Sequence, residues 1–316
     1  MPREKTVTTR QWLVVKVLIS VVLLGWLFDN IDTTTVLTYL KTFNPVYLLL
    51  VFALSLLGFF ISTEKWRLLL VATEQKPAFF ALLRLFWIGV FFNNFLPGRT
   101  GGDVVRAYGI TRKAQDKTSA TITVIVDRVL NLVALIGIAL LALIWSPHIL
   151  PEDMRNNILV SSSILGGLGI LAIGLIFFVT RKIQRLNGIV LFVKKLAQNP
   201  IHLTMAIGLA FVYQTTMILS NYAIALGLGF QLSPSTFFVI IPLTALATML
   251  PISLNGWGVR EGAYALSFQS FGVAPELAIT LSVVATLCMV AVSSIGGLFY
   301  ISQKLDVSLT SKQLTL

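Results

Sequence analysis

The sequence contains very little cysteine, histidine and charge. The single cysteine, Cys288, excludes a disulfide within the chain. The two histidines, His148 and His202, are far apart and have no cysteine nearby, which excludes a recognisable zinc site. Charged residues form only 12% of the 316, too few for an ordinary soluble domain. Neither a phosphate-loop signature nor a nucleophile–base arrangement occurs, so we expect no metal, no cofactor and no enzymatic activity.

Apolar residues are abundant instead. Hydrophobic residues form 56% of the sequence and the mean hydropathy is +0.86, which predicts an integral membrane protein. A bilayer core of about 30 Å needs about 20 apolar residues per helix, so a single membrane domain over 1–316 has room for roughly six to eight spans. The 24 Lys and Arg exceed the 13 Asp and Glu, but they cluster between apolar runs. They therefore indicate membrane topology and no binding to nucleic acid.

Eight apolar segments are predicted to enter the membrane, and proline precedes several of them. The segments are 12–28, 46–62, 79–96, 120–145, 158–179, 201–229, 236–254 and 278–301. No small-residue cleavage site follows the first segment, so we expect a retained helix there and no cleaved signal peptide. The positive-inside rule assigns loop 63–77 and loop 180–199 to the cytoplasm, together with both termini.

One motif occurs twice, each time directly after an apolar run. The copies run from Leu96 to Arg106 and from Leu250 to Arg260, and a shift of 154 positions aligns Leu, Pro, Gly, Val and Arg. If 79–96 crossed completely, the basic segment that follows it would lie outside, against the positive-inside rule. A re-entrant hairpin that bends at the first motif resolves this conflict. A second hairpin, 236–276, is then predicted to enter from the opposite face.

The predicted fold class is an all-α polytopic membrane protein with about six full transmembrane helices plus two re-entrant helical hairpins, arranged as an inverted-topology repeat. Repeat one covers about 46–145 and repeat two about 201–301. Eight ordinary crossings are the alternative, because five identities in eleven positions are modest for residues that are so common in this sequence.

Polar residues at membrane depth are costly and therefore mark candidate sites. Arg99, Arg106 and glycine amides near a broken helix predict a phosphate site, because guanidinium is a planar fork and helix ends attract anions. Asp103 is spaced to pair with Arg106, and adjacent Asp127 and Arg128 point to different faces, so each is expected to pair with another segment. Headgroup anchoring is the alternative for the two arginines, and a plain interhelical salt bridge for the Asp-Arg pair. The candidate headgroup-binding residues are Asn94, Arg99, Gly101, Gly102, Asp103, Arg106, Asp127, Arg128, Asn255, Gly256, Arg260 and Glu261.

These motifs resemble those of a known family. They are similar to the motifs of the lysylphosphatidylglycerol synthase transmembrane, or flippase-like, family. The residues that carry the resemblance are Asn94-x-Leu96-Pro97-x-Arg99-x-Gly101-Gly102-Asp103-x-x-Arg106, then Asp127-Arg128, then Pro251 through Gly256-x-Gly258-x-Arg260-Glu261-Gly262. The resemblance implies a prokaryotic plasma-membrane protein that binds lipids with phosphate headgroups or moves them between leaflets. Two-domain relatives carry a cytosolic aminoacyl-transfer domain, whereas only a short tail follows Tyr300 here. We therefore expect a stand-alone member without synthase activity.

The leading functional prediction is a lipid flippase or facilitator. An anionic or polyprenyl-phosphate-linked headgroup would be held by Arg99, Arg106 and Arg260, and the expected partners are membrane lipids with anionic headgroups. A small-solute or ion secondary transporter is one alternative. A non-transporting membrane partner of a lipid-linked glycosyltransferase or lipid-modifying enzyme is another. No ATP-binding signature is present, so the acidic side chains of the motifs are the groups that a coupling proton would use.

Overall fold

The computed structural model describes residues 31–95, 101–112, 114, 116–145, 187–249, 253 and 256–313, together with single positions 18, 22 and 25. Ten helices make up the regular structure of these ranges, and their bounds are α1 Thr33–Thr42, α2 Val46–Ala72, α3 Phe79–Phe95, α4 Gly101–Thr111, α5 Lys117–Trp145, α6 Asn187–Gln198, α7 Pro200–Gly227, α8 Pro234–Met249, α9 Val259–Gln269 and α10 Pro275–Gln313. The predicted segment 158–179 and nearly all of 12–28 lie outside the described residues.

Proline marks the beginning of three helices, as predicted from the sequence. α7, α8 and α10 start at Pro200, Pro234 and Pro275, where the missing amide would have no intrahelical acceptor. Within the described ranges, four helices are long and apolar enough to cross a membrane, namely α2, α5, α7 and the 275–302 part of α10. α3 and α8 are apolar but have only 17 and 16 residues.

Helix α2 continues ten residues beyond the predicted segment 46–62. Residues 63–72 were expected in a loop but are helical, because three leucines after Arg67 resume the apolar run. The side chains of Lys65 and Trp66 in this stretch are fully buried. The predicted loop 180–199 also contains a helix, the amphipathic α6 before α7. Another short helix, α1, precedes α2.

The helices from α2 to α5 and from α7 to α10 follow the same order: one long helix, two short ones and another long one. Their lengths are 27, 17, 11 and 29 residues in the first group and 28, 16, 11 and 39 in the second. α2 and α7 pack against each other along their length. The Asn44 amide donates to the Gly227 carbonyl at 3.0 Å, and the Asn199 side chain donates to the Ala72 carbonyl at 3.1 Å. The first helices of the two groups are therefore antiparallel.

The two short helices α3 and α4 form an antiparallel hairpin with a very close backbone approach. A Cβ atom on Gly102 would lie 1.7 Å from the Gly89 carbonyl oxygen, so only glycine permits this contact. α3 also packs on α10 of the other group, where the Trp87 indole donates to the Val292 carbonyl at 3.0 Å. In the same way, α8 packs on α5 through Val239 and Leu143. The short helices α8 and α9 also pack on each other and form the second hairpin. Each of the two hairpins, α3–α4 and α8–α9, thus contacts both groups of helices.

Helix ends gather at two opposite ends of the molecule. Lys195 at the end of α6 pairs with Glu74 after α2 at 2.8 Å and lies 3.9 Å from Asp116 before α5. At the other end, Phe230, Phe237 and Phe268 join the regions where α7 ends, α8 begins and α9 ends. Because α2 and α7 are antiparallel, these two sets of helix ends lie far apart.

Candidate functional site

Five charged side chains of alternating sign form a buried ion-pair network between α2, α4 and α5. Lys65 lies 3.0 Å from Asp127, and Arg106 contacts the other oxygen of Asp127 at 3.0 Å. Arg106 also lies 3.6 Å from Asp103, which in turn pairs with Arg128 at 2.6 Å. Side-chain exposure rises along this order, from 0% at Lys65 through 2%, 5% and 17% to 40% at Arg128. The network therefore connects the protein interior with an accessible surface.

The ion-pair network lies well inside two candidate membrane spans. Lys65 is seven residues before the end of α2, and Asp127 is ten residues after the start of α5. At 1.5 Å per residue these positions are about 10–15 Å from the nearer helix ends. A buried charge without a partner is strongly destabilising, so each of these side chains requires its counter-ion. Three cations and two carboxylates leave one positive charge in excess within the network.

Lys65 connects three helices. Its ammonium group donates to the side-chain oxygen of Asn131 on α5, in addition to its pair with Asp127. It also lies 5.4 Å from the centre of the Tyr213 ring on α7, a cation–π distance. Gln214, also on α7, donates to the backbone carbonyl of Asn131 at 2.8 Å. The buried end of the network is therefore in contact with the first helix of the second group.

Arg106 is held by aromatic rings as well as by carboxylates. Its guanidinium lies 4.2 Å from the centre of the Trp66 ring and 4.9 Å from that of Phe86, which gives cation–π contacts from two helices. Its aliphatic stem passes over Gly89, where a Cβ atom would lie 2.6 Å from the Arg106 Cγ. The side chain is interior, so it does not have the position of a headgroup anchor. It joins the hairpin to α5.

Two asparagines fix the end of the first hairpin. The Asn93 side-chain oxygen accepts the amide of Gly102 at 2.8 Å, at the start of α4. The Asn94 amide group donates to the Ser293 hydroxyl on α10 at 2.7 Å. Arg99 follows α3 and precedes α4 in the sequence, outside the described residues, so its predicted role stays a prediction.

Glu261 organises a second polar cluster at the start of α9. One carboxylate oxygen accepts the Gly258 amide at 2.7 Å, and the other accepts Arg260 at 2.9 Å and the Ser282 hydroxyl at 3.3 Å. Gly256 and Gly258 both have φ +81°, a conformation that favours glycine. This carboxylate stabilises the turn and the helix start locally, and it connects α9 to α10. Asn255 lies outside the described residues.

The structure aligns the two motifs differently from the shift of 154 residues. α4 begins at Gly101 and α9 at Val259, so equal positions in the two helices are 158 residues apart. Asp103 then corresponds to Glu261, an acidic residue in the first turn of each helix, where negative charge is favourable. Arg260 is the second residue of its helix and Arg106 the sixth of its own. These two arginines are therefore not equivalent in position.

The residue that corresponds to Arg106 by helix position is Tyr264. Its hydroxyl donates to the side-chain oxygen of Asn221 on α7 at 2.9 Å. The first hairpin is thus joined to the long helices by charged groups, whereas this contact of the second hairpin uses a neutral hydrogen bond. The repeated helix order accordingly carries two different kinds of polar site.

Lys65 is absent from the predicted site although it forms the buried end of the network. The sequence does contain a signal for Lys65, because Ser62, Lys65 and Leu69 follow the spacing of one helix face. In the structure all three of these residues are buried. Glu64 and Arg67 pair with each other at 2.6 Å on the more accessible side of the same turn. The sequence prediction counted all of these charges as loop residues and so missed the difference between the two faces.

Adjacent Asp127 and Arg128 contact different partners, as predicted from their different helix faces. Asp127 contacts α2 and α4, and Arg128 pairs with Asp103 of the hairpin. The predicted pairing of Asp103 with Arg106 is also present. Within the part of the chain that the structure describes, no group of three or more His, Cys, Asp or Glu is placed to ligate a metal ion.

Comparison with known proteins agrees with these motifs. The family model for the lysylphosphatidylglycerol synthase TM region matches residues 13–297. A UPF0104 membrane protein of Methanocaldococcus jannaschii is 23% identical over 284 residues, which cover 80% of this chain and 83% of that protein. A UPF0104 membrane protein of Pyrococcus horikoshii is 22% identical over 299 residues, 83% of this chain and 89% of the other. One from Methanothermobacter thermautotrophicus matches over a short stretch, at 36% identity over 73 residues, 23% of this chain and 21% of that protein. This chain is therefore a multi-pass membrane protein, and it belongs to the family of lysylphosphatidylglycerol synthase TM regions.

Proposed function

We propose that this protein binds lipids with phosphate headgroups within the membrane and facilitates their movement between leaflets, without catalysing a reaction. The observation that carries the proposal is the buried ion-pair network with its excess of one cation and its exposed end at Arg128. An excess cation at membrane depth is costly unless an anion compensates it. Guanidinium groups bind phosphate oxygens through their planar fork of donors. Membership of a lipid-synthase transmembrane family supports a lipid as the source of that phosphate.

The two helices that carry the exposed end of the network also expose apolar side chains. Val104 and Tyr108 are exposed on α4, which carries Asp103, and Ile125 and Val129 are exposed on α5, which carries Arg128. In a bilayer these apolar side chains would contact acyl chains. A phospholipid can thus place its phosphate at Arg128 while its chains remain in the hydrocarbon core. We infer that Asp103 and Arg106 position this arginine from behind.

We further infer that the two helix groups form an inverted-topology repeat, with α3–α4 and α8–α9 as re-entrant hairpins. The antiparallel α2 and α7, the common order of helix lengths and the two opposite sets of helix ends support this arrangement. α3 has 17 residues and therefore spans about 25 Å, short of a hydrocarbon core of about 30 Å. Two hairpins that open to opposite faces would give a lipid access from each leaflet in turn.

The orientation follows from the basic segments between helices. Lys194 and Lys195 at the end of α6 lie beside the end of α2, and the positive-inside rule assigns this end of the molecule to the cytoplasm. Both termini would then be cytoplasmic, in the plasma membrane of a prokaryotic cell. The end where α7 meets α8 would face outside.

The test measures leaflet exchange of fluorescent phosphatidylglycerol in liposomes that contain the purified protein. We expect the wild-type protein to accelerate exchange and Arg128→Gln to slow it about tenfold or more, since a hydrogen bond to a charged group is worth about 1.5–3 kcal/mol. Arg112→Gln is the matched control. It removes an exposed arginine at the end of α4, where the guanidinium lies over the Tyr108 ring and outside the network, so exchange should be unchanged.

Two results would contradict the proposal. Folded wild-type protein that exchanges no phospholipid of any headgroup would exclude lipid movement and favour solute transport or a non-transporting partner of a lipid-modifying enzyme. Equal exchange by wild type and Arg128→Gln would place the headgroup site away from the network. Binding of the same lipid to detergent-solubilised protein, measured in parallel, separates loss of binding from loss of movement.

A further inference from the structure

Lys65, at the buried end of the network, is a titratable group that does not contact the proposed headgroup site at Arg128. Lys65 is completely enclosed, and it shares the carboxylate of Asp127 with Arg106. Among the described residues, the other charged or titratable groups that face it are Arg128 on α5 and the phenol of Tyr213 on α7. It therefore stands where three cations compete for two carboxylates. The inference drawn from it rests on the proposed binding of a phosphate headgroup.

The charge balance of the network depends on whether a headgroup is bound. When its three cations are all protonated, the five side chains of the network carry a net charge of +1 in a low-dielectric region. Guanidinium groups in general do not lose a proton in proteins, whereas a buried ammonium group can. Loss of the proton from Lys65 would make the network neutral. Adding one monoanionic phosphodiester restores neutrality only if Lys65 is protonated again.

We propose that binding of one phosphodiester headgroup at the exposed end of the network is linked to uptake of one proton from solvent, which the Lys65 amine accepts. The contacts give a route for this linkage over the five side chains. A phosphate at Arg128 competes with Asp103 for the guanidinium, and Asp103 then turns to Arg106, which already lies 3.6 Å away. As Arg106 is drawn toward Asp103, Asp127 is left more fully to Lys65 and stabilises its ammonium form.

The sign of the linkage predicts how affinity depends on pH. Because the bound state holds one more proton than the free state, raising the pH weakens binding. Over the range in which Lys65 is neutral in the free protein and protonated in the complex, the dissociation constant increases about tenfold per pH unit. The proton is released when the headgroup leaves. Release on the opposite side would couple movement of the lipid to a proton gradient.

The experiment is calorimetric titration of the detergent-solubilised protein with a short-chain phosphatidylglycerol, in buffers of one pH and different ionisation enthalpies. A phosphodiester does not titrate near neutral pH, so the slope of observed heat against buffer ionisation enthalpy counts protons taken up by the protein. We expect about one proton per bound headgroup for the wild type, and about none for Lys65→Met. Lys76→Met makes the same change at an exposed lysine outside the network and should keep the wild-type count.

The outcomes separate this inference from the proposed function. Absence of lipid binding by folded wild-type protein contradicts the proposed function itself. Lipid binding with a heat that is independent of the buffer contradicts the proton linkage but leaves the proposed function standing. This result is obtained with the wild-type protein, so it does not depend on whether a variant folds. Uptake that persists in Lys65→Met would place the proton on another group and overturn its assignment. Lys65→Arg, which keeps a fixed cation, should bind lipid without proton uptake.

A second ligand distinguishes a lipid from a free phosphate compound. Glycerophosphoglycerol carries the same phosphodiester without acyl chains, and titration with it uses the same buffer series. Much weaker binding than that of the short-chain lipid supports a lipid as the ligand. Equal affinity with equal proton uptake would overturn the lipid and assign the site to a soluble phosphodiester.

Discussion

Asp127 is the residue on which the site depends most. Its two oxygens contact Lys65 and Arg106, each at 3.0 Å, and thereby connect α2 and α4 to α5. Adjacent Arg128 points elsewhere and reaches Asp103. A single dipeptide therefore supplies both the interior anchor of the network and its accessible end. This division follows from the helical rotation of about 100° between neighbouring residues.

We expect Asp127→Asn to destabilise the protein by about 3 kcal/mol or more. The substitution leaves the buried Arg106 cation and the Lys65 amine without the carboxylate that contacts both. The measurement is the thermal midpoint of the purified protein in detergent. Combining Asp127→Asn with Lys65→Met removes one of the two groups that lose their partner, so the double variant should recover part of the lost stability.

The control for this prediction is Asp116→Asn at the start of α5. Asp116 accepts hydrogen bonds from the Ser119 amide at 3.0 Å and hydroxyl at 2.6 Å, and its side chain is partly exposed. Donation by Ser119 lowers the pKa of this carboxyl below its ordinary value. Asparagine also caps helices well, so the loss should be less than about 1 kcal/mol. An equal loss of stability for Asp116→Asn and Asp127→Asn would contradict a special role for the buried contacts of Asp127.

At the scale of elements, the hairpin of α3 and α4 depends on a close backbone contact at Gly102, a glycine of the first motif. The sequence predicted a hairpin that bends at the first motif, which includes Gly101 and Gly102. In the structure Gly102 lies in the first turn of α4 and packs against Gly89 of α3. The close approach brings Arg106 against Phe86 and Trp66. The glycine thus positions the arginine one helical turn later.

We expect Gly102→Ala to cost about 3 kcal/mol and to reduce leaflet exchange, because a methyl group would overlap the Gly89 carbonyl and force the two helices apart. The thermal midpoint and the exchange rate are measured on the same preparation. Gly208→Ala is the matched control in α7, where a Cβ atom would meet nothing within 4 Å. It should leave exchange unchanged and alter stability by about 1 kcal/mol at most, in the stabilising direction.

At the scale of the whole molecule, the antiparallel packing of α2 and α7 determines how the two helix groups are related. The contacts at Asn44 with Gly227 and at Asn199 with Ala72 join opposite ends of these two helices. Each hairpin contacts the last long helix of the other group, α3 on α10 and α8 on α5. Movement of one hairpin would therefore change packing contacts with helices of both groups.

Cysteine accessibility in oriented membranes tests the proposed topology. With Cys288→Ser as background, we expect Glu74→Cys to react with an impermeant maleimide from the cytoplasmic side only, and Gln231→Cys from the outside only. Trp257 lies at the turn between α8 and α9 of the second hairpin, and Trp257→Cys should not react from the cytoplasmic side. Reaction of Trp257→Cys from the cytoplasm would mean that α8 crosses completely, as in the alternative of eight ordinary crossings.

The sequence by itself determined the membrane class, the positions of most helices and the motif residues. These features depend on local composition, on proline at helix starts and on residue spacing, so they can be deduced without knowing which helices meet. Pairing of Asp103 with Arg106 belongs to the same class, since the two residues are one helical turn apart. The family resemblance likewise needed only the order of the motif residues.

The tertiary structure decided which charges are buried together. Lys65 meets Asp127 across 62 positions of sequence, and nothing in the local pattern specifies which carboxylate it shares. Likewise, Arg106 and Arg260 match in the linear motif but lie in different surroundings, because the two helix starts differ by four positions from the motif alignment. Burial and partner choice depend on packing between distant helices, and that packing places the unexpected lysine at the buried end of the network.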